Sequence, residues 1–174
     1  IRIFGTRRTG KSTMLKTIFS EHSGDAVILQ GEDMNVQELL KTRTVKNYER
    51  LIGNKKLLMI DEAQVIPDIG NILKLMIDNI EPLNIIVTGS SSFDLQNSSG
   101  QPLVGRNMDF QMFPIAQKEL SETENLLDTK NNLEERIIYG SYPELWHLET
   151  LEEKQNYLKQ LVENYLLKDR VKKY

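Results

Sequence analysis

Cysteine is absent from the 174 residues. That excludes a disulfide framework, a zinc ribbon and thiol catalysis, and it fits a reducing, cytoplasmic setting. No apolar run approaches the ~18 residues of a membrane-spanning helix, so no membrane partner is expected, and no secretory leader pattern is seen. Positive charge is not in excess: 22 Lys and Arg stand against 25 Asp and Glu, a formal charge of −3. A chain-wide basic field for nucleic acid is thereby excluded, while a local patch stays open. Two histidines, His22 and His147, are too few and too isolated for a metal centre. An initiating methionine is lacking too: the chain opens on Ile1-Arg2-Ile3-Phe4, and the expectation is a fragment of a longer protein, entered inside its first strand. What is present, 39% hydrophobic and 27% charged residues, has the balance of one globular domain with at most a small helical cap.

Short apolar runs alternate with longer helical stretches, the pattern of βαβ units and a parallel sheet. Strands are expected over residues 1–4, 26–30, 57–60 and 84–88, with a further one over 108–113. Helices are expected over 11–20, 35–40, 44–52 and 69–80. The last has Ile69, Ile72, Leu73, Met76, Ile77 and Ile80 at the three-and-four spacing of a buried face. A loop of small polar residues, Ser90 to Gly100, then implies mobility or ligand contact. Beyond Pro114 only helices are expected, over 117–120, 132–139 and 151–173. Leu158, Leu161, Val162, Tyr165 and Leu166 give the last one an apolar stripe that reads as packing against the protein's own core.

Gly5-Thr6-Arg7-Arg8-Thr9-Gly10-Lys11-Ser12 satisfies G-x-x-x-x-G-K-[ST] at every fixed position, between a strand and a helix. Gly5 and Gly10 would open backbone conformations that turn N–H groups inward around an anion. The helix that begins at Lys11 adds its positive end. Lys11 would place an ammonium on the outer phosphates, Ser12 would offer its hydroxyl to Mg²⁺, and Thr13 would border the inner phosphates. Arg7 and Arg8 read as solvated loop arginines within reach of phosphate.

Leu57-Leu58-Met59-Ile60-Asp61-Glu62 is an apolar strand that ends in two carboxylates. In a parallel sheet, ligands sit at the carboxyl ends of strands, where the phosphate loop also lies. Asp61 would hold Mg²⁺, usually through water, and Glu62 would activate the water that attacks the terminal phosphate. The competing reading of Glu62 is a first-turn acid favoured by a helix dipole. Thr88 and Ser90 end another such strand; either could sense the terminal phosphate, or simply bond to loop backbone. Arg106 could reach a γ-phosphate in cis or from a neighbouring subunit, or form a surface ion pair.

Taken in order, Gly5 to Ser12, Asp61-Glu62-Ala63-Gln64 with Pro67, Thr88-Gly89-Ser90-Ser91-Ser92, Gly105-Arg106 and Tyr139-Gly140-Ser141-Tyr142-Pro143 resemble the AAA_14-type ATPases. These are prokaryotic P-loop proteins that usually carry a C-terminal DUF4143 domain. The resemblance implies an α/β P-loop NTPase of the additional-strand (ASCE, AAA-like) class. Its parallel sheet would be flanked by helices over residues 1–112, with a helical lid over 113–174. It gives Lys11, Ser12, Asp61 and Glu62 the roles derived above, puts Thr88 or Ser90 at the sensor position and Arg106 at the arginine of the Gly-Arg motif. Thr6 stands where many members have Pro, and Ser12 where many have Thr. The expected function is Mg²⁺-dependent ATP binding and hydrolysis, coupled through a missing C-terminal domain to a protein partner or a second copy of the chain.

A helicase fragment is a rival, because Asp-Glu-Ala-Gln resembles a helicase box, but the chain after Ser90 has no room for a second RecA-like domain. A module that binds ATP as a switch without hydrolysing it is the other. A GTPase is disfavoured by the lack of Asn-Lys-x-Asp. Nucleic acid is left undecided. The basic cluster at 168–173 sits at a helix end, where cations complement the dipole in any case.

Overall fold

Strands rich in Ile, Leu, Val and Met need cover on both faces, and the computed structural model, which describes residues 1–90 and 107–166 apart from the side chains of 165 and 166, supplies it. The described chain falls into two compact units. One comprises residues 1–5 and 11–112, the other residues 6–10 and 113 onwards.

The first unit contains β1 (Arg2–Phe4), α1 (Lys11–Glu21), β2 (Ala26–Gln30), α2 (Met34–Lys41), α3 (Val45–Ile52), β3 (Leu57–Asp61), α4 (Ile69–Asn79), β4 (Asn84–Gly89) and β5 (Asp109–Gln111). The five strands are all parallel, in the order β2-β3-β4-β1-β5. β4 is thus inserted between the strand that leads into the phosphate loop and the strand that ends in the acidic pair. This is the additional-strand P-loop architecture that the resemblance implies.

Alternation along the central strands divides the core in two. Leu58, Ile60, Ile85 and Val87 join Ile69, Ile72, Leu73 and Met76 of α4 on one face. Met59 and Ile86 join Ile3 and Leu15 of α1 on the other. Tyr48 of α3, fully buried, satisfies its hydroxyl by donating to the Leu40 carbonyl at 3.0 Å.

β5 is shorter than the run expected over 108–113. It is an edge strand, and only its three residues pair with β1. Arg2 lies directly across from Asp109 and grips both carboxylate oxygens, at 2.7 and 2.5 Å. The guanidinium holds the Asp109 carboxyl below the usual carboxylate range.

In the second unit, α5 spans Gln117–Leu120, α6 Leu126–Tyr139 and α7 Leu151–Leu161, with a 3₁₀ turn over Pro143–His147. α6 starts well before the expected residue 132. Asn125 caps it, accepting from the amides of Leu127 and Asp128, while Asp128 reaches back to the Asn125 amide. Leu126 and Leu127 are exposed there, so the first turn carries no amphipathic signal. α7 begins with a Thr150–Glu153 capping box. Its α-helical bonding ends at Leu161 and passes into a π-type turn over Val162–Leu166. Of the expected stripe, Leu161 is buried, Leu158 half-buried and Val162 exposed. The rest of the helix expected to residue 173, the basic cluster at 168–173, most of the Ser90–Gly100 loop and Arg106 lie outside the described residues.

Register explains one glycine that the motifs do not. Gln30 pairs with Asp61, so Gly31 faces the start of the Glu62 segment, and the Gly31 amide donates to the Asp61 carbonyl at 2.8 Å. A Cβ at Gly31 would lie 2.4 Å from the Glu62 carbonyl oxygen and 2.9 Å from that of Asp61. Gly31→Ala is therefore expected to push the chain after β3 out of place and to lower unfolding stability by about 1–3 kcal/mol. A urea melt of the variant against wild type checks this.

Candidate nucleotide-binding site

β1, β3 and β4 run parallel, so the residues that follow them emerge at one edge of the sheet. At β1 that residue is Gly5, buried, with its amide donating to the Gly89 carbonyl at 3.3 Å. Lys11 opens α1 and is only 3% exposed; its Nζ donates to the Gly5 carbonyl at 2.8 Å. Ser12 is half-buried and Thr13 exposed. The first turn of α1 contains no acidic side chain, so nothing on that turn offsets the partial positive charge of the helix start.

At β3 the register continues from Ile60↔Val87 to bring Asp61 beside Thr88. Asp61 is 4% exposed and Thr88 fully buried. The Thr88 hydroxyl donates to Asp61 Oδ1 at 2.5 Å, and it accepts from the Glu62 amide at 3.2 Å. That amide also lies 3.2 Å from Asp61 Oδ1. Burying a carboxylate is costly unless hydrogen bonds replace the lost water, and the neighbouring strand provides one. Ser90, at the end of β4, is likewise buried.

Glu62 leaves the strand in the left-handed region, with φ 50° and ψ 44°. For a residue with a side chain this costs on the order of 1–3 kcal/mol and persists only where the surroundings enforce it. Here the Thr88 hydroxyl, the close passage of Gly31 and the buried Ala63 beyond it supply that enforcement. The Glu62 carboxylate accepts from Gln64 Nε2.

Residues 6–10 belong to the second unit. There the left-handed positions are Arg8, φ 65°, and Gly10, φ 98°. Gly5 is not among the positive-φ residues, so of the two glycines only Gly10 uses the freedom expected of both. The buried Thr9 closes the turn by donating its hydroxyl to the Thr6 carbonyl at 2.9 Å. Thr6 shares a hydrogen bond with the Tyr142 hydroxyl at 3.3 Å, which gives the threonine that replaces the more usual proline a use for its side chain. Arg8 is exposed, with its guanidinium 5.9 Å from the centre of the Tyr157 ring; Arg7 is half-buried.

Motif reading did not single out Gly31, Gln64 or Tyr142 as site residues. A glycine directly after the apolar run 26–30 was the available signal for Gly31, but only the register reveals what it must avoid. Arg106 lies outside the described residues.

Known proteins resemble this chain at low identity. The uncharacterized protein MJ1544 of Methanocaldococcus jannaschii is 28% identical over 94% of the chain and 39% of its own length. The uncharacterized protein Rv2008c of Mycobacterium tuberculosis is 29% identical over 61% of the chain and 23% of its own length. The chain thus spans about two fifths or less of the curated relatives it matches. Among solved structures, the Orc1 protein of Aeropyrum pernix in complex with DNA has a TM-score of 0.41 at 14% identity, over 76% of this chain and 43% of that one. Residues 1–121, which hold the phosphate loop, the acidic pair and all five strands, match the family AAA_14, described as an AAA domain; the chain belongs to that family.

Proposed function

We propose that this domain binds ATP with Mg²⁺ and hydrolyses the β–γ phosphoanhydride. The observation that carries the proposal is the burial of two opposite charges, Lys11 and Asp61, at the carboxyl edge of a parallel sheet. A buried charge without a task is expensive, and this edge is where α/β sheets take their ligands. Gly5, Thr6, Arg7, Arg8, Thr9, Gly10 and Thr13 would border the phosphates through main-chain groups, and Lys11 would neutralise the outer ones.

Ser12 and Asp61 would hold the magnesium ion. Their hard oxygen donors suit it, and because Mg²⁺ keeps several waters and shares substrate phosphates, two protein ligands suffice. The described residues contain no group of three or more His, Cys, Asp or Glu that could form a closed cage. When bound, the ion supplies charge neutralisation at the terminal phosphates. Thr88 orients Asp61 by its hydroxyl and Glu62 by the amide it receives.

Glu62 would take a proton from the attacking water. The water oxygen bonds to the γ-phosphorus while the bond to the bridging oxygen breaks, and its electron pair leaves with ADP. One water proton passes to Glu62 and the other stays on the phosphate. Ser90 and Arg106 are proposed as further contacts of the terminal phosphate. A division into a core over 1–112 and a lid over 113–174 belongs to the same proposal. So does coupling to a protein partner, or to a second copy, through parts of a longer protein.

Lys11→Ala is expected to weaken Mg-ATP binding by roughly 30-fold or more, equivalent to about 2 kcal/mol, in titration calorimetry; unchanged affinity contradicts the phosphate-loop assignment. Glu62→Gln should bind ATP normally and turn over about 10²–10⁴ times more slowly. A wild-type rate that is already negligible and does not change in this variant supports the non-hydrolysing switch instead. Thr88→Val, which removes a donor from a buried carboxylate at nearly constant volume, should cost about 1–3 kcal/mol in a denaturant melt and lower turnover.

A further inference from the structure

Gln64 has half of its hydrogen-bonding capacity committed and half unmet. Nε2 donates to Glu62 Oε2, while Oε1 is closed off from solvent and has no partner among the described residues. The amide orientation follows from the chemistry. A carboxylate only accepts, so the NH₂ group must face Glu62 and the carbonyl must point elsewhere. A buried amide oxygen without a donor costs about 1–3 kcal/mol and is uncommon in folded proteins. Glu62 Oε1 likewise receives no hydrogen bond among the described residues. Gln64 and Glu62 are thus joined through one N–H···O bridge.

Their support is firm. Gln64 sits in the 3₁₀ turn Ala63–Val65, which is entered through the left-handed Glu62. The turn is closed by bonds from the Val65 amide to the Glu62 carbonyl, 3.2 Å, and from the Ile66 amide to the Ala63 carbonyl, 3.1 Å. Ala63 and Ile66 are buried in the core on either side. The residue that bends the chain and the residue that grips its carboxylate thus belong to one short, anchored segment.

We infer that Gln64 is a positioning residue for Glu62: its Nε2 fixes the carboxylate that activates the hydrolytic water. The inference rests on the reading of Glu62 as the base. Gln64 itself gains and loses no proton; the bond changes are those given above, and the amide only holds the carboxylate.

The test is steady-state ATPase kinetics on the full chain. Gln64→Met keeps the length of the side chain and removes both polar atoms. It is expected to lower kcat at least tenfold, with KM for ATP and the affinity for a non-hydrolysable ATP analogue within twofold, because Gln64 is given no contact with phosphate or metal. In a Glu62→Gln background the same substitution should change turnover less than twofold, since the group it acts through is gone. If Gln64→Met keeps kcat within twofold, or repeats its tenfold loss in that background, the inference falls and Glu62 keeps its role. If Glu62→Gln turns over at the wild-type rate, both fall. A measurement that needs no turnover accompanies these: the side-chain amide resonances of Gln64 in ¹⁵N-labelled, nucleotide-free protein. They should move on Glu62→Ala, and their failure to move overturns the bridge on which the inference stands.

Discussion

Thr88 holds the last residue of the neighbouring strand and the residue after it with one hydroxyl. Its proton goes to the buried Asp61 carboxylate and its lone pair receives the Glu62 amide. Without the first bond a carboxylate that is 4% exposed loses one of its few compensations for lost water. Without the second, the left-handed backbone of Glu62 loses one of the contacts that enforce it. The sheet order makes the double contact available. Because β4 is inserted beside β3, and because the register sets Ile60 against Val87, the residue after each lands opposite the other. The fold, the buried charge and the turn that aims Glu62 are thus parts of one constraint.

From the other flank of β3, Gly31 closes the same turn. Its lack of a side chain lets the β2 exit pass so close to Glu62 that an added Cβ would lie 2.4 Å from the Glu62 carbonyl oxygen. β2 and β4 therefore squeeze one short segment between them, and the 3₁₀ turn that follows is held by the buried Ala63 and Ile66. Such enforcement is what a backbone conformation with a cost of a few kcal/mol requires, and strain of this kind concentrates at working sites.

Much of this was legible in the residues alone. Strands β1 to β4 announce themselves because a parallel sheet covered on both faces leaves unbroken apolar runs, and Ile69 to Ile80 shows its buried face through helical spacing. The phosphate loop and the acidic pair are local in sequence, so spacing exposes them. What escaped depends on non-local geometry. Gly31 matters only through the strand beside it, and the partner of the Thr6 side chain, Tyr142, lies far along the chain. Thr88 could be placed at the right edge of the sheet, but its two partners follow from register. The start of α6 escaped for the opposite reason: its cap is local, yet Leu126 and Leu127 are exposed, and periodicity sees only buried faces.

The central claim is that main-chain amides at the start of α1 receive the phosphates of a magnesium nucleotide while the Asp61–Gln64 segment lies beside them. Backbone hydrogen exchange, compared with and without Mg-ATP, tests it most directly. The account predicts protection concentrated at residues 5–13 and 61–64, with α2 and α3 exchanging as before. Exchange that is unchanged across both segments at saturating nucleotide, or protection that arises only elsewhere, would contradict it.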